Sequence, residues 1–124
     1  MKLFLAGLLA VTLFIPKPPP VVPKLTLSPT NPHVGQTLTA RILVSVPASC
    51  RLLVEYLDSK GRAHILQQTG YHSLHGKGSV LMLRVKIRHS YVRAFANGPC
   101  NFHYRGKYYQ VISSQGFRTT KAHS

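Results

Sequence analysis

Alternation of apolar and polar side chains is the feature that most limits what this chain can fold into. From Gly35 onward, Leu38, Ala40, Ile42, Val44 and Val46 point one way, while Thr37, Thr39, Arg41, Leu43 and Ser45 point the other. The same two-residue period returns in Leu52, Val54 and Tyr56, and again in Leu81, Leu83, Val85 and Ile87. Successive side chains leave a strand on opposite faces, so this period puts one face in a core and the other in solvent. No segment after Ile15 carries the 3.6-residue period of an amphipathic helix. Strands are expected at 24–27, 35–46, 50–57, 63–69, 79–87, 91–96 and 108–113, the fourth as an edge strand. Turn chemistry separates them: Ser28-Pro29-Thr30-Asn31-Pro32, Pro47-Ala48-Ser49, Asp58-Ser59-Lys60-Gly61 and Asn97-Gly98-Pro99, with a glycine- and histidine-containing loop at 70–78. Seven short antiparallel strands point to an all-β sandwich rather than to parallel βα units.

The N-terminus reads differently. Lys2 precedes thirteen residues from Leu3 to Ile15 without a charge, the length of a signal-peptide core. As a helix this run would span about 20 Å, short of the roughly 30 Å hydrocarbon layer. No small-x-small triplet marks a cleavage site before Pro16, so a cleaved signal and a retained anchor both stay open. Residues 16–23, PKPPPVVP, favour extended polyproline II and read as a semi-rigid spacer. The domain plan is thus 1–15 signal peptide or anchor, 16–23 linker, 24–117 sandwich and 118–124 basic tail. Export implies an extracytoplasmic protein: periplasmic, secreted, membrane-tethered or part of a virion. Two cysteines in an exported chain, Cys50 and Cys100, suggest one disulfide, and neither sits in a metal-binding CxxC spacing.

The stretch from Leu25 to Thr39, LTLSPTNPHVGQTLT, resembles the opening of bacterial immunoglobulin-like and related extracellular β-sandwich domains. There a first strand, a proline turn and a Val-Gly-Gln-Thr step lead into the second strand. The likeness covers about 20 residues, within 25–44. The chain has no tryptophan, and its cysteines do not occupy the mid-strand positions of antibody domains. The resemblance implies that Cys50 opens the third strand and that Cys100 follows the sixth. A disulfide would then tie two loops at one end of the sandwich, closing about 50 residues for about 4 kcal/mol of stabilisation.

Charge bears most directly on function. Sixteen Lys and Arg face only Glu55 and Asp58, for a formal net charge of +14. Most cations therefore lack an internal partner and repel one another unless salt or a polyanion screens them. Arg84, Lys86 and Arg88 alternate with the inward Leu83, Val85 and Ile87, forming a cationic stripe on a solvent face. A second group, FHYRGKYY at 102–109, interleaves Tyr104, Tyr108 and Tyr109 with Arg105 and Lys107. Aromatics among cations can stack on bases or sugars, or sit at a lipid interface, while the cations hold phosphates. Arg93 completes the polyanion-binding set of Arg84, Lys86, Arg88, Arg93, Arg105 and Lys107.

Parts for catalysis are scarce. Glu55 and Asp58 lie three apart at a strand–turn junction and project to opposite faces, and no nucleophile elbow is present. No enzymatic activity, cofactor or metal site is expected. His72 and His75, the closest histidine pair of the seven in the chain, lack a carboxylate or thiolate partner. The reading is an exported, non-enzymatic binding or adhesion-type module that docks on an acidic surface: anionic lipid, lipopolysaccharide, an acidic polymer or an acidic protein. The alternative is a structural subunit of an envelope or virion assembly, with neighbouring subunits as partners. Nucleic acid ranks behind both, because export removes the chain from it.

Overall fold

The computed structural model describes residues 23–120, and every regular element in that span is a strand. The apolar run at 1–15, the linker at 16–22 and the tail residues 121–124 lie outside the described residues. Nine strands follow in order: β1 (Lys24–Ser28), β2 (Thr37–Val44), β3 (Ala48–Cys50), β4 (Leu53–Leu57), β5 (Ala63–Gln68), β6 (His72–Leu74), β7 (Ser79–Lys86), β8 (Ala94–Tyr104) and β9 (Lys107–Phe117). They form two antiparallel sheets, β1–β2–β7 and a six-stranded one. In the second, β8 pairs with β9 on one side and shares its other side between β4 and β3, which pair in turn with β5 and β6.

The alternating pattern does the packing. Leu38, Ala40, Ile42 and Val44 of β2 face inward with Leu81, Leu83 and Val85 of β7, followed by Ile87. From the other sheet they meet Cys50, Leu52, Val54, Ala94, Ala96, Cys100 and Phe102. Burying each large aliphatic side chain is worth about 1.5–3 kcal/mol.

Seven expected strands become nine because one is interrupted and one expected loop contains a strand. The strand expected at 50–57 breaks at Arg51–Leu52, where Leu52 turns fully into the core. Its backbone stays satisfied: the Leu52 amide donates to Thr69 Oγ1 at 3.0 Å, and the Thr69 amide donates to the Leu52 carbonyl at 2.9 Å. The expected loop at 70–78 likewise contains β6, paired with β3.

The turn expected at Asn97-Gly98-Pro99 is instead the middle of β8. Pro99 has no amide hydrogen for a neighbouring strand, and it lies beside the gap between β3 and β4. There its carbonyl still accepts from the Arg51 amide at 3.1 Å. A Cβ on Gly98 would lie 2.5 Å from Ile42 Cδ1 of the facing sheet, so this glycine serves close packing of the sheets rather than chain reversal.

The reversal comes later, at Arg105–Gly106, where Tyr104 pairs with Lys107. Both central residues have positive φ, 50° and 77°, as a type I′ hairpin requires. The segment at 102–109 is therefore a paired hairpin with a two-residue turn, and the last strand runs to Phe117 rather than Ser113.

The extra length of β8 also moves the disulfide. Cys50 and Cys100 are bonded and buried, as register partners on adjacent strands with Cα atoms 4.2 Å apart. They lie inside one sheet rather than tying two end loops together, because β8 continues four residues past Cys100. A disulfide fits an oxidising, extracytoplasmic compartment.

Candidate anion-docking surfaces

The two acids are engaged locally. Asp58, in the turn between β4 and β5, accepts the Lys60 and Arg62 amides on Oδ1 at 2.8 and 2.9 Å. Its Oδ2 lies 2.7 Å from His64 Nε2, the one ion-pair contact among the described residues. The His64 hydrogen bond, followed by the Arg62 amide, holds the Asp58 carboxyl below its ordinary value. The His64 ring stacks on Tyr56 at 5.0 Å, and Tyr56 stacks on Tyr91 at 4.5 Å. Burial, then the neighbouring Tyr56, pushes the Tyr91 hydroxyl up. Glu55 accepts from Asn97 Nδ2 at 3.2 Å, and Asn97 Oδ1 accepts from Ser114. The acids thus sit in separate hydrogen-bond networks, and no Lys or Arg among the described residues is paired with either.

The cations expected at the binding surface fall in three places. Arg84 and Lys86 stand exposed on the outer face of the three-stranded sheet, and Arg88 follows just beyond the end of β7. Register adds two cations that sequence reasoning did not join to this stripe. Arg41 of β2 is opposite Met82, and Lys24 of β1 is opposite Leu43. Cross-strand rows on this face read Lys24–Leu43–Val80, Thr26–Arg41–Met82, Ser28–Thr39–Arg84 and Thr37–Lys86. Arg41 lies diagonal to Arg84, about 7–8 Å apart at the backbone. The face carries four cations, no carboxylate and an apolar end at Leu43, Val80 and Met82. The outward alternation of Arg41 was visible in the sequence; its neighbour across the sheet was not.

Arg93 lies elsewhere, between two clefts at the end that holds the β4–β5 turn; one includes Tyr91 and Val92, the other Phe117 and Arg118. Arg105 and Lys107 occupy the opposite end, at the hairpin tip. Register fixes this: Ala94 pairs with Phe117 at the first end, while Tyr104–Lys107 extends past the Ser49–Asn101 pair at the other.

Of the three expected contact tyrosines, Tyr108 is exposed, 5.2 Å from His103 in a tilted ring contact. Tyr109 stacks on buried Phe102 at 5.5 Å, and both Tyr109 and Tyr104 pack against the rim of the core. Arg105 lies over the Tyr104 ring at 5.4 Å. A further cation–aromatic contact, Arg51 over Tyr71 at 5.6 Å, fills the break between β3 and β4, where Arg51 also donates to Gln68.

His72 lies on β6 and His75 in the following turn. Among the described residues no three His, Cys, Asp or Glu side chains come together to hold a metal ion. No protein-family model, curated protein or solved structure matches this chain.

Proposed function

We propose that this chain is an exported, non-enzymatic binding module of immunoglobulin-like kind, docking on a polyanionic surface through the outer face of its three-stranded sheet. The observation that carries the reading is the pairing pattern of its charges. Both carboxylates are engaged by local partners, while Lys24, Arg41, Arg84 and Lys86 share one sheet face with no acid on it. An array of cations at strand spacing, about 6.6–7 Å along β7, can meet several anionic groups at once. The local roles of Glu55 and Asp58 support a binding rather than a catalytic protein. The immunoglobulin-like reading is supported by the first two strands pairing with the seventh in one sheet while the rest pack opposite.

The test is a salt titration of binding to heparin and to anionic vesicles, with Arg41, Arg84 and Lys86 replaced together by alanine. Binding should weaken steeply with salt, and the triple variant should flatten the log–log slope by about one unit per removed contact. Salt-independent binding, or an unchanged triple variant, would reject the face as the site.

A second reading, a structural subunit of an envelope or virion assembly, is favoured by the outer face of the larger sheet. Ile65 and Ile112 are 50% and 67% exposed there. Concentration-dependent oligomers that Ile112→Ser abolishes would support it, and a monomer at all concentrations would oppose it.

A further inference from the structure

The described residues include two non-glycine positions with positive φ, Lys77 and Arg105, each at 50°. Left-handed backbone costs an ordinary side chain about 1–2 kcal/mol, and Asn, Asp or Gly would sit there more easily. Both positions carry cations, and both lie at one end of the sandwich. Lys77 is in the turn between β6 and β7, whose Gly78 amide bonds the Val44 carbonyl at the close of β2. Arg105 is at the tip of the β8–β9 hairpin, with Lys107 beside it and Tyr108 exposed. Neither acid is at this end: Asp58 lies in the β4–β5 turn at the other, and Glu55 pairs with Phe95.

Preceding β1, the chain enters beside the middle of β9, on a strand whose N-terminal direction points toward the same end. Lys24 pairs with Leu43 at the close of β2, and the carbonyl of Pro23 accepts the Ser113 hydroxyl at 2.8 Å. From Ser113 to Gly106 is seven residues of strand, about 23 Å at the usual rise. Seven residues, 16–22, separate the apolar run from Pro23, and a proline-rich stretch of that length reaches about 22 Å. The stretch of sequence between Pro23 and the apolar run is thus about as long as the distance from Ser113 to the hairpin tip.

We infer that this end faces a membrane, with the hairpin tip and the Lys77 turn docking on anionic phospholipid headgroups beside the apolar N-terminal segment. Lys77, Arg105 and Lys107 meet the phosphates, while Tyr108 sits at the interface, where amphipathic rings are enriched. This rests on the polyanion reading but uses a different surface and names the anion as a bilayer.

The chain has no tryptophan, so one introduced residue reports alone. Full-length Tyr108→Trp protein is bound to phosphatidylglycerol–phosphatidylcholine vesicles containing brominated lipid, with Val92→Trp as the probe at the opposite end. The expected result is a blue shift and quenching for Tyr108→Trp and a solvent-exposed spectrum for Val92→Trp. Adding Arg105→Ala and Lys107→Ala should lower the docking equilibrium of the tip about thirtyfold, and Lys77→Ala about fivefold more. A vesicle-bound chain whose Tyr108→Trp probe is unquenched overturns the inference. So does equal quenching of both probes, or equal quenching on pure phosphatidylcholine. Salt-sensitive heparin binding through Arg41, Arg84 and Lys86, kept while the tip stays unquenched, would leave the proposed function standing without this membrane contact.

Discussion

Gly98 and Asp58 show how much a single residue settles here. A methyl group on Gly98 would press on the Cδ1 of Ile42, which is fully buried, so any relief must come from repacking inside the core. Gly98→Ala is expected to cost about 1–3 kcal/mol through overpacking, read as a lower denaturant midpoint. Gly116→Ala, whose added carbon would sit at an ordinary 3.7 Å from the Ala94 carbonyl oxygen, is the control and should change little beyond its own chain-entropy effect. Asp58 makes stability depend on acidity. Its folded-state value lies below the ordinary 3.8, so its contribution is full above 3.8 and disappears as pH falls through the lower folded value. The melting-temperature gap between wild type and Asp58→Asn should persist at neutral pH and close in strong acid. A gap that does not change with pH would show that the carboxylate charge is not what the turn uses.

At the level of elements, the β8–β9 hairpin and the split third strand carry the lessons. Arg105→Asn should stabilise the fold by about 1 kcal/mol, because Asn-Gly suits a type I′ turn better than Arg-Gly. The same change should weaken any contact that uses the Arg105 charge, so thermal melts and vesicle binding should move in opposite directions. Reducing the disulfide should lower stability by about 4 kcal/mol for a separation of 50 residues, measured by denaturation with and without reductant. The inward residues of β2 and β7 were legible in the sequence, because a two-residue period has one physical meaning when half of it is apolar. Asn97-Gly98-Pro99 was not, since the same three residues serve a turn or a close sheet contact, and only Ile42 opposite decides which. The Arg-Gly turn was missed because Arg is a poor choice for left-handed backbone. Of the candidate face, Arg84 and Lys86 were legible from alternation. Their neighbours Arg41 and Lys24 depend on strand register, which no local pattern encodes.

Across the whole molecule, unscreened positive charge opposes the folded state. Raising ionic strength from about 0.01 M to 0.15 M shortens the screening length from about 30 Å to about 8 Å, so the melting temperature should climb with salt. A flat salt dependence would mean that the charges are too far apart to matter. The placement of the sulfur bridge has a mechanical consequence. It joins two neighbours within one sheet, so it does not bolt the sheets to each other. A pull between β1, which belongs to the small sheet, and β9, which belongs to the large one, would load the oily seam between them. The segment between Cys50 and Cys100 would be shielded from that tension, keeping about 170 Å of contour locked until the bridge is reduced. Stretched in an oxidising medium, the protein should thus give way early yet lengthen by only part of its chain, a short tether with a built-in stop.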